Sequence, residues 1–370
     1  MKRLIRFLPL FFIPVALSCS LTAFSQDKNF IVRGVVRDDT NGQPLAGASV
    51  FCQNTTIGTV SDNEGHFSLH LPNGGYDMIV SYTGYETRSI RIGKAGTTND
   101  SMSISLKTED KNMGEAVVTF SAEVADGWNK YGQFFLDNFI GTTPNAGQCT
   151  LENKDSLHFY FYKKRNRLRV KSRAQLIITN NALGYKIKYQ LDSFVYEYNT
   201  KISIYTGYPL FEEMQGTPQQ QEEWRQHRFT AYTGSRLHFM RSWYDSTLEE
   251  EGFVLESADS GAPNNFNPIK DTYDHKLYNV DSGEVEISFS GKLRVSYTAQ
   301  APDRKYLEEH KYPLTMRAQI SALDIQDGFV IEENGYFYDQ SEVTNIGYWA
   351  WKKLAEVVPY DYVPPAVLMQ

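Results

Sequence analysis

Between Phe30 and Lys107 the chain switches every few residues from an alternating apolar and polar run to a break rich in glycine or asparagine. That rhythm leaves little choice of fold. The runs are FIVRGVVRD (30–38), ASVFCQN (48–54), TVS (59–61), HFSLHL (66–71), YDMIVSY (76–82), TRSIRI (87–92) and SMSISL (101–106). A period of two turns one side of each strand to a core and the other to water. Strands this short, with turns this close, predict a small β-sandwich. The breaks carry Asn41-Gly42, Asp62 to Gly65, Asn73-Gly74-Gly75 and Gly84, residues that accept tight or left-handed backbone.

One break, Ser61-Asp62-Asn63-Glu64-Gly65-His66-Phe67, sets three oxygen-bearing side chains before a glycine and a histidine after it. A calcium loop of the EF-hand kind needs a bidentate Glu six residues past its glycine, and Leu71 stands there. A zinc site needs further ligands at set spacing, whereas His70 shares a strand with His66 and no cysteine is near. The residues therefore predict a hairpin turn. Asp62 caps it through its side chain, Gly65 takes positive φ, and Phe67 returns to the core. No metal and no cofactor are expected.

The same turn belongs to a pattern. Gly34-Val35-Val36, Gly42-x-Pro44-Leu45-x-Gly47-Ala48, Gly58-Thr59-x-Ser61-Asp62-x-x-Gly65-x-Phe67 and Tyr82-x-Gly84-Tyr85 together resemble the carboxypeptidase-D regulatory-like domain. The resemblance spans about 80 residues and implies a transthyretin-like β-sandwich of the kind common in secreted and outer-membrane proteins of the Bacteroidota. That module has no catalytic residues of its own, so no peptidase activity is inherited with it. Residues 108–120, TEDKNMGEAVVTF, are similar to the segment that follows the module in TonB-dependent receptors. A receptor barrel of about 22 strands needs several hundred residues, more than follow here, so that architecture is not expected.

The first residues, MKRLIRFLPLFFIPVALSCSLTAFSQ, place basic Lys2, Arg3 and Arg6 before an apolar run and the small-x-small Ala23-Phe24-Ser25. This is the pattern of an export signal over residues 1–25, cleaved before Gln26. Lipidation at Cys19, after Ala16-Leu17-Ser18, is the alternative. No transmembrane span is expected after cleavage. Loss of residues 1–25 removes three positive charges and no acid, taking the formal net charge from −7 to −10, which argues against a nucleic-acid binder. Cys52 and Cys149 then remain, too few for a disulfide framework. Cys52 follows the apolar run 48–51 and is expected as a buried thiol.

Beyond a linker at 108–125, residues 126–365 predict an α+β domain built on antiparallel sheet with about three helices. Asp126 is placed to cap a helix bearing Trp128, Tyr131, Phe135 and Phe139, stopped by Gly141. Thr217-Pro218-Gln219-Gln220 is a capping box with proline at the first position. The helix it opens presents Phe229, Tyr232, Phe239 and Trp243, and a third helix runs from Tyr348 to Val357. LHFYFY (157–162), YKIKYQL (185–191) and VEISFSGKLRVSY (285–297) alternate as strands. Such alternation is also what a small membrane barrel shows, but the helices interrupt it. Asn334-Gly335 predicts a two-residue hairpin turn, Asp281-Ser282-Gly283 and Gln326-Asp327-Gly328 further turns, and the polar stretch 257–271 a mobile loop.

Known chemistries leave no mark. None of the seven histidines is followed by Glu at metallopeptidase spacing, and no Gly-x-Ser-x-Gly elbow, Walker loop or Gly-x-Gly-x-x-Gly turn is present. Paired acids such as Glu249-Glu250-Glu251 are read as solvated, and His238 as a hydrogen-bonded core residue. The unusual feature is KKRNRLRVKSR (163–173). As a strand it puts Arg167, Arg169, Lys171 and Arg173 on one face and Leu168 and Val170 on the other. Four like charges in a row call for acids on a neighbouring strand or an anionic ligand. The expectation is a non-enzymatic binding or scaffolding protein of the periplasm or cell envelope, with envelope polysaccharide or other envelope proteins as partners. The runner-up is an envelope enzyme acting on glycan or peptide.

Overall fold

A computed structural model describes residues 29–93, 101–109, 123–259 and 262–365. The expected export signal, Cys19 and most of the expected linker lie outside them. All seven N-terminal runs form strands: β1 (Phe30–Asp38), β2 (Ser49–Cys52), β3 (Gly58–Val60), β4 (His66–Leu71), β5 (Tyr76–Ser81), β6 (Arg88–Ile92) and β7 (Met102–Leu106). They build two sheets, β4-β1-β7 and β3-β2-β5-β6, with β1 and β7 parallel. The sheets enclose Val36, Val50, Cys52, Leu69, Met78 and Ile104, the alternate positions the period of two selects. Cys52 is a free, buried thiol, pushed above its ordinary pKa by that burial.

The second sheet is buried on its outer side as well. Phe51 and Ile79 pair across β2 and β5, point away from the sandwich core, and are 1% and 0% exposed. They lie under the C-terminal region, where Leu210 sits alongside Phe51 at Gly58. Backbone bonds fix this contact: Asn54 N–H donates to Pro209 O, Phe211 N–H to Thr55 O and Tyr360 N–H to Asn54 O.

The C-terminal region is mainly β and contains two large cores. Helix α1 (Gly127–Phe139) packs Phe135 and Phe139 on a sheet of β8 (Cys149–Leu151), β9 (Leu157–Tyr162), β10 (Arg167–Ser172), β11 (Leu176–Asn180), β12 (Tyr185–Glu197) and β13 (Ile202–Glu213). The order is β8-β11-β12-β10-β9, and β13 runs along the other edge of the long β12. After α2 (Pro218–Tyr232) and α3 (Arg236–Tyr244), a second core gathers strands β14 (Phe253–Asp259), β15 (Ala262–Pro268), β16 (Tyr278–Asp281), β17 (Glu284–Ile287), β18 (Gly291–Tyr297), β19 (Gln319–Ile325), β20 (Phe329–Ile331) and β21 (Val343–Gly347). Helix α4 (Arg304–His310) lies between β18 and β19, and α5 (Tyr348–Trp351) follows β21.

Several expectations are corrected. The aromatic helix opened by the Thr217–Gln220 capping box, which forms as expected, is two helices. Gly234 stands at φ +70°, a Cβ there would fall 2.6 Å from the Tyr297 ring, and Ser235 caps α3 by accepting from His238 N–H. The break hands Tyr232 to the first core and Phe239 and Trp243 to the second. The helix placed at 348–357 is cut after Trp351, with a single tight turn at Leu354–Glu356. The stretch 257–271 is no loop throughout: β14 and β15 pair there, an edge hairpin whose polar composition hides it. Asp126 sits at φ +59° without capping α1 through its side chain. The two-residue hairpin turn is Ser282-Gly283, joining Asp281 to Glu284, both residues at positive φ. At Asn334-Gly335 the turn runs from Glu332 to Gly335, with only Gly335 at positive φ.

Candidate functional site

The SDNEGHF break is a turn held by its own aspartate. Asp62 Oδ1 accepts from Glu64 N–H at 3.0 Å and His66 N–H at 2.8 Å, and Gly65 stands at φ +79°. Asp62, Glu64 and His66 also bring one ligand atom each within 4.8 Å of one another, all three exposed. Every one of these groups faces water, and the aspartate oxygen is already occupied by backbone donors.

The basic run folds as its alternation requires. Lys163–Arg165 form a tight turn ending at Asn166, φ +49°, and β10 then buries Leu168 and Val170 completely. Arg167 faces Glu197 on β12 and ion-pairs with it, the cross-strand acid that the charge pattern calls for. Arg169 lies between Tyr160 and Val195, and Lys171 opposite His158, whose Nδ1 is 2.8 Å from Glu123. Arg173 lies just past β10 and is exposed, as are Lys163, Lys164 and Arg165. Among the described residues these last four cations have no carboxylate within 4.0 Å.

Two clefts are open, the first where the sandwich meets the C-terminal region and the second within the C-terminal region. One, of about 570 Å³, is lined by Thr56, Tyr185, Arg228 and Asp361. Of its two arginines, Arg228 is structural: it lies 3.9 Å from the Tyr185 ring centre and donates to Leu183 O at 2.7 Å, Gly184 O at 3.0 Å and Glu213 at 2.9 Å. Burial raises the pKa of Asp361, which accepts from Thr56 N–H at 3.0 Å. The other cleft, of about 360 Å³, holds His238, Asp245, Glu251 and Glu333. His238 is buried, as expected. Its Nδ1 accepts from Gly234 N–H at 3.1 Å, and its Nε2 reaches Glu251 at 3.1 Å. Burial lowers its pKa and outweighs the pull of Glu251. With both nitrogens engaged, the ring has no lone pair to offer a substrate. Asp245 is exposed, so solvent damps the upward push that the surrounding protein and Glu333 give its carboxyl.

What sequence reasoning missed is the joint. Asn73-Gly74-Gly75 reads as a turn, but Asn334 Nδ2 donates to Gly75 O at 3.0 Å and its Oδ1 accepts from Gly75 N–H at 3.3 Å. A Cβ at Gly74 would fall 2.3 Å from Asn334 Cγ, and one at Gly75 2.6 Å from Tyr336. Arg241 locks the other side, donating to Asn334 O, Tyr362 O and Tyr360 O at 2.8–3.1 Å. The adjacent glycines are the one signal of close approach that the sequence carries.

Residues 32–118 match the family model of the CarboxypepD_reg-like domain, and the chain carries that module. It is 33% identical over 99 residues to the TonB-dependent receptor SusC of Bacteroides thetaiotaomicron, which is 27% of this chain and 9% of the receptor. To a TonB-dependent receptor of Formosa agariphila it is 32% identical over 117 residues, 32% of this chain and 11% of that one. The chain thus spans about a tenth of the length of these curated relatives. A catechol 1,2 dioxygenase structure from Acinetobacter radioresistens aligns at 14% identity over 23% of this chain and 54% of its own, with a TM-score of 0.19, a likeness too slight to bear on fold or activity. Among the described residues no helix is long and apolar enough to cross a membrane.

Proposed function

We propose that this chain is an exported binding or scaffolding protein of the bacterial envelope. Its ligand would be an anionic envelope polymer, met along β10. The module shared with TonB-dependent receptors supports the compartment. The observation that carries the ligand class is the row of exposed cations Lys163, Lys164 and Arg165 continuing into β10 and out to Arg173. Such a row raises the local concentration of a polyanion in a salt-dependent way. Arg167 is partly neutralised by Glu197 and serves the sheet as well as the surface. The test is retention on immobilised lipopolysaccharide at two salt concentrations. Wild type should be held at low salt and released at high salt, and the Arg167→Gln/Arg169→Gln variant held less. Equal retention of the two proteins removes the reading.

The cleft around His238 favours a second reading, an envelope enzyme acting on glycan or peptide. His238 cannot serve as its free base, so Asp245 and Glu333 would have to supply the proton chemistry. Hydrolysis of peptidoglycan fragments by wild type, and its loss in Asp245→Asn, would support that reading; no turnover by wild type ends it.

A further inference from the structure

A third cavity lies where all the parts of the molecule converge. It has a volume of about 200 Å³ and is reached by Asn54 from the sandwich, Tyr205 from β13, Arg236 from α3, Asn345 from β21, and Lys352, Lys353 and Tyr360 from the C-terminal segment. That volume equals about seven waters. Its charge is one-sided: Arg236, Lys352 and Lys353 face the single acid Glu356. Among the described residues none of the three cations has a carboxylate within 4.0 Å. Arg236 lies over the Phe337 ring at 5.1 Å, and the Lys352 ammonium over the Tyr348 ring at 5.1 Å, contacts that hold a cation without cancelling it. Burial lowers the pKa of both lysines, and for Lys352 it does so against the pull of Glu356 and Asp303. Three cations against one acid on the lining of a hollow favour an anion there.

The remaining lining narrows the class of ligand. Asn54, Ser235 and Asn345 bring uncharged polar side chains to the lining, which suit the hydroxyls of an organic anion. Leu237, Met240 and Val357 supply an apolar wall. Both lysines keep part of their surface in solvent, which gives the cavity a way in.

We propose that this cavity binds one small hydroxylated organic anion, of the size and class of a sugar acid. Its carboxylate is held by Arg236, Lys352 and Lys353, and its hydroxyls meet Asn54, Ser235 and Asn345. The site is separate from the β10 face, so either can fail without the other. Calorimetric titration of the full chain with glucuronate, galacturonate and gluconate is the test, with glucose and inorganic phosphate as controls. At least one of the acids should bind saturably with one site. Glucose should not bind, and phosphate should bind about tenfold more weakly or worse. Arg236→Gln and Lys352→Met should each weaken the acid about tenfold or more, the scale of one charge-assisted hydrogen bond. Acetylation of wild type by acetic anhydride, followed by mass spectrometry, gives a readout that needs no variant: the bound acid should shield Lys352 and Lys353 and leave Lys163 and Lys164 reactive. No saturable binding of any of the three acids, phosphate binding as tightly as they do, or unaltered labelling at saturation overturns the proposal.

Discussion

The sheet β3-β2-β5-β6 and the sheet β8-β11-β12-β10-β9 treat their second face in opposite ways. In the C-terminal sheet one face packs on α1, and the other meets solvent away from Leu210 and Gln190, which touch the sandwich, so β10 alternates cleanly and Ile204 on β13 can stand 59% exposed. In the sandwich, β5 reads Met78-Ile79-Val80 with all three buried, because one face meets its own partner sheet and the other the C-terminal region. A run of apolar residues in a short strand is therefore the mark of a middle layer. That sheet is an inner layer of the protein, and the module is not an appendage to it.

Cutting that layer open should have the largest effect. Phe51→Ala, on the face turned away from the sandwich core, should cost about 3–5 kcal/mol, whereas Ile204→Ala should cost under about 0.5 kcal/mol; urea unfolding of the two variants reads the difference. A cost at Phe51 as small as that at Ile204 would break the comparison. Next come the glycines. Gly75→Ala places a methyl 2.6 Å from Tyr336, and Gly65→Ala places one 2.5 Å from Val36 O at φ +79°, so each should cost about 1–3 kcal/mol. If the layers are one cooperative unit, both variants should lower a single shared melting transition; a separate early transition for the sandwich would show that its outer face is dispensable.

A gentler test uses acid. His238 has a folded-state pKa below its ordinary 6.5 because of burial, so below that pH the unfolded chain binds more protons than the folded one. Stability should therefore fall as pH drops from 6.5 toward the folded-state value. His238→Gln should flatten that part of the profile, measured as melting temperature against pH. An unchanged slope would show that the ring does not titrate on unfolding. Smallest is the solvated face itself: Arg167→Gln with Arg169→Gln should change stability by about 1 kcal/mol or less, since an ion pair that is partly exposed contributes little. A loss well above that, with polymer retention intact, would make β10 a structural strand only.

How far the sequence could be read follows from the same contrast. The seven short strands were legible to within a residue or two because period-two burial and glycine breaks coincide there. The capping box at Thr217–Gln220 was legible because its chemistry is local, and the faces of β10 because Leu168 and Val170 have only one core to enter. Local signals could not show that the aromatic stripe from Phe229 to Trp243 is shared between two cores, because Gly234 weakens a helix without saying which way the chain turns. Nor could they show that Gly74 and Gly75 admit Asn334, 259 residues away from Gly75. The cavity was the least legible feature. Asn54, Tyr205, Arg236, Asn345 and Lys352 stand on different elements, and no spacing relates them.

The Gly75–Asn334 contact bears on heredity. A domain that recurs in many proteins is ordinarily an interchangeable part, free to move by recombination because its neighbours ignore it. Here the copy has become resident. A receptor's sandwich transplanted into residues 32–118 would need apolar side chains where Phe51 and Ile79 stand, and two adjacent glycines small enough to admit a neighbour's amide. Lineages carrying this arrangement should therefore keep or lose the two regions together, and chimaeras should succeed only when the joint travels with the graft.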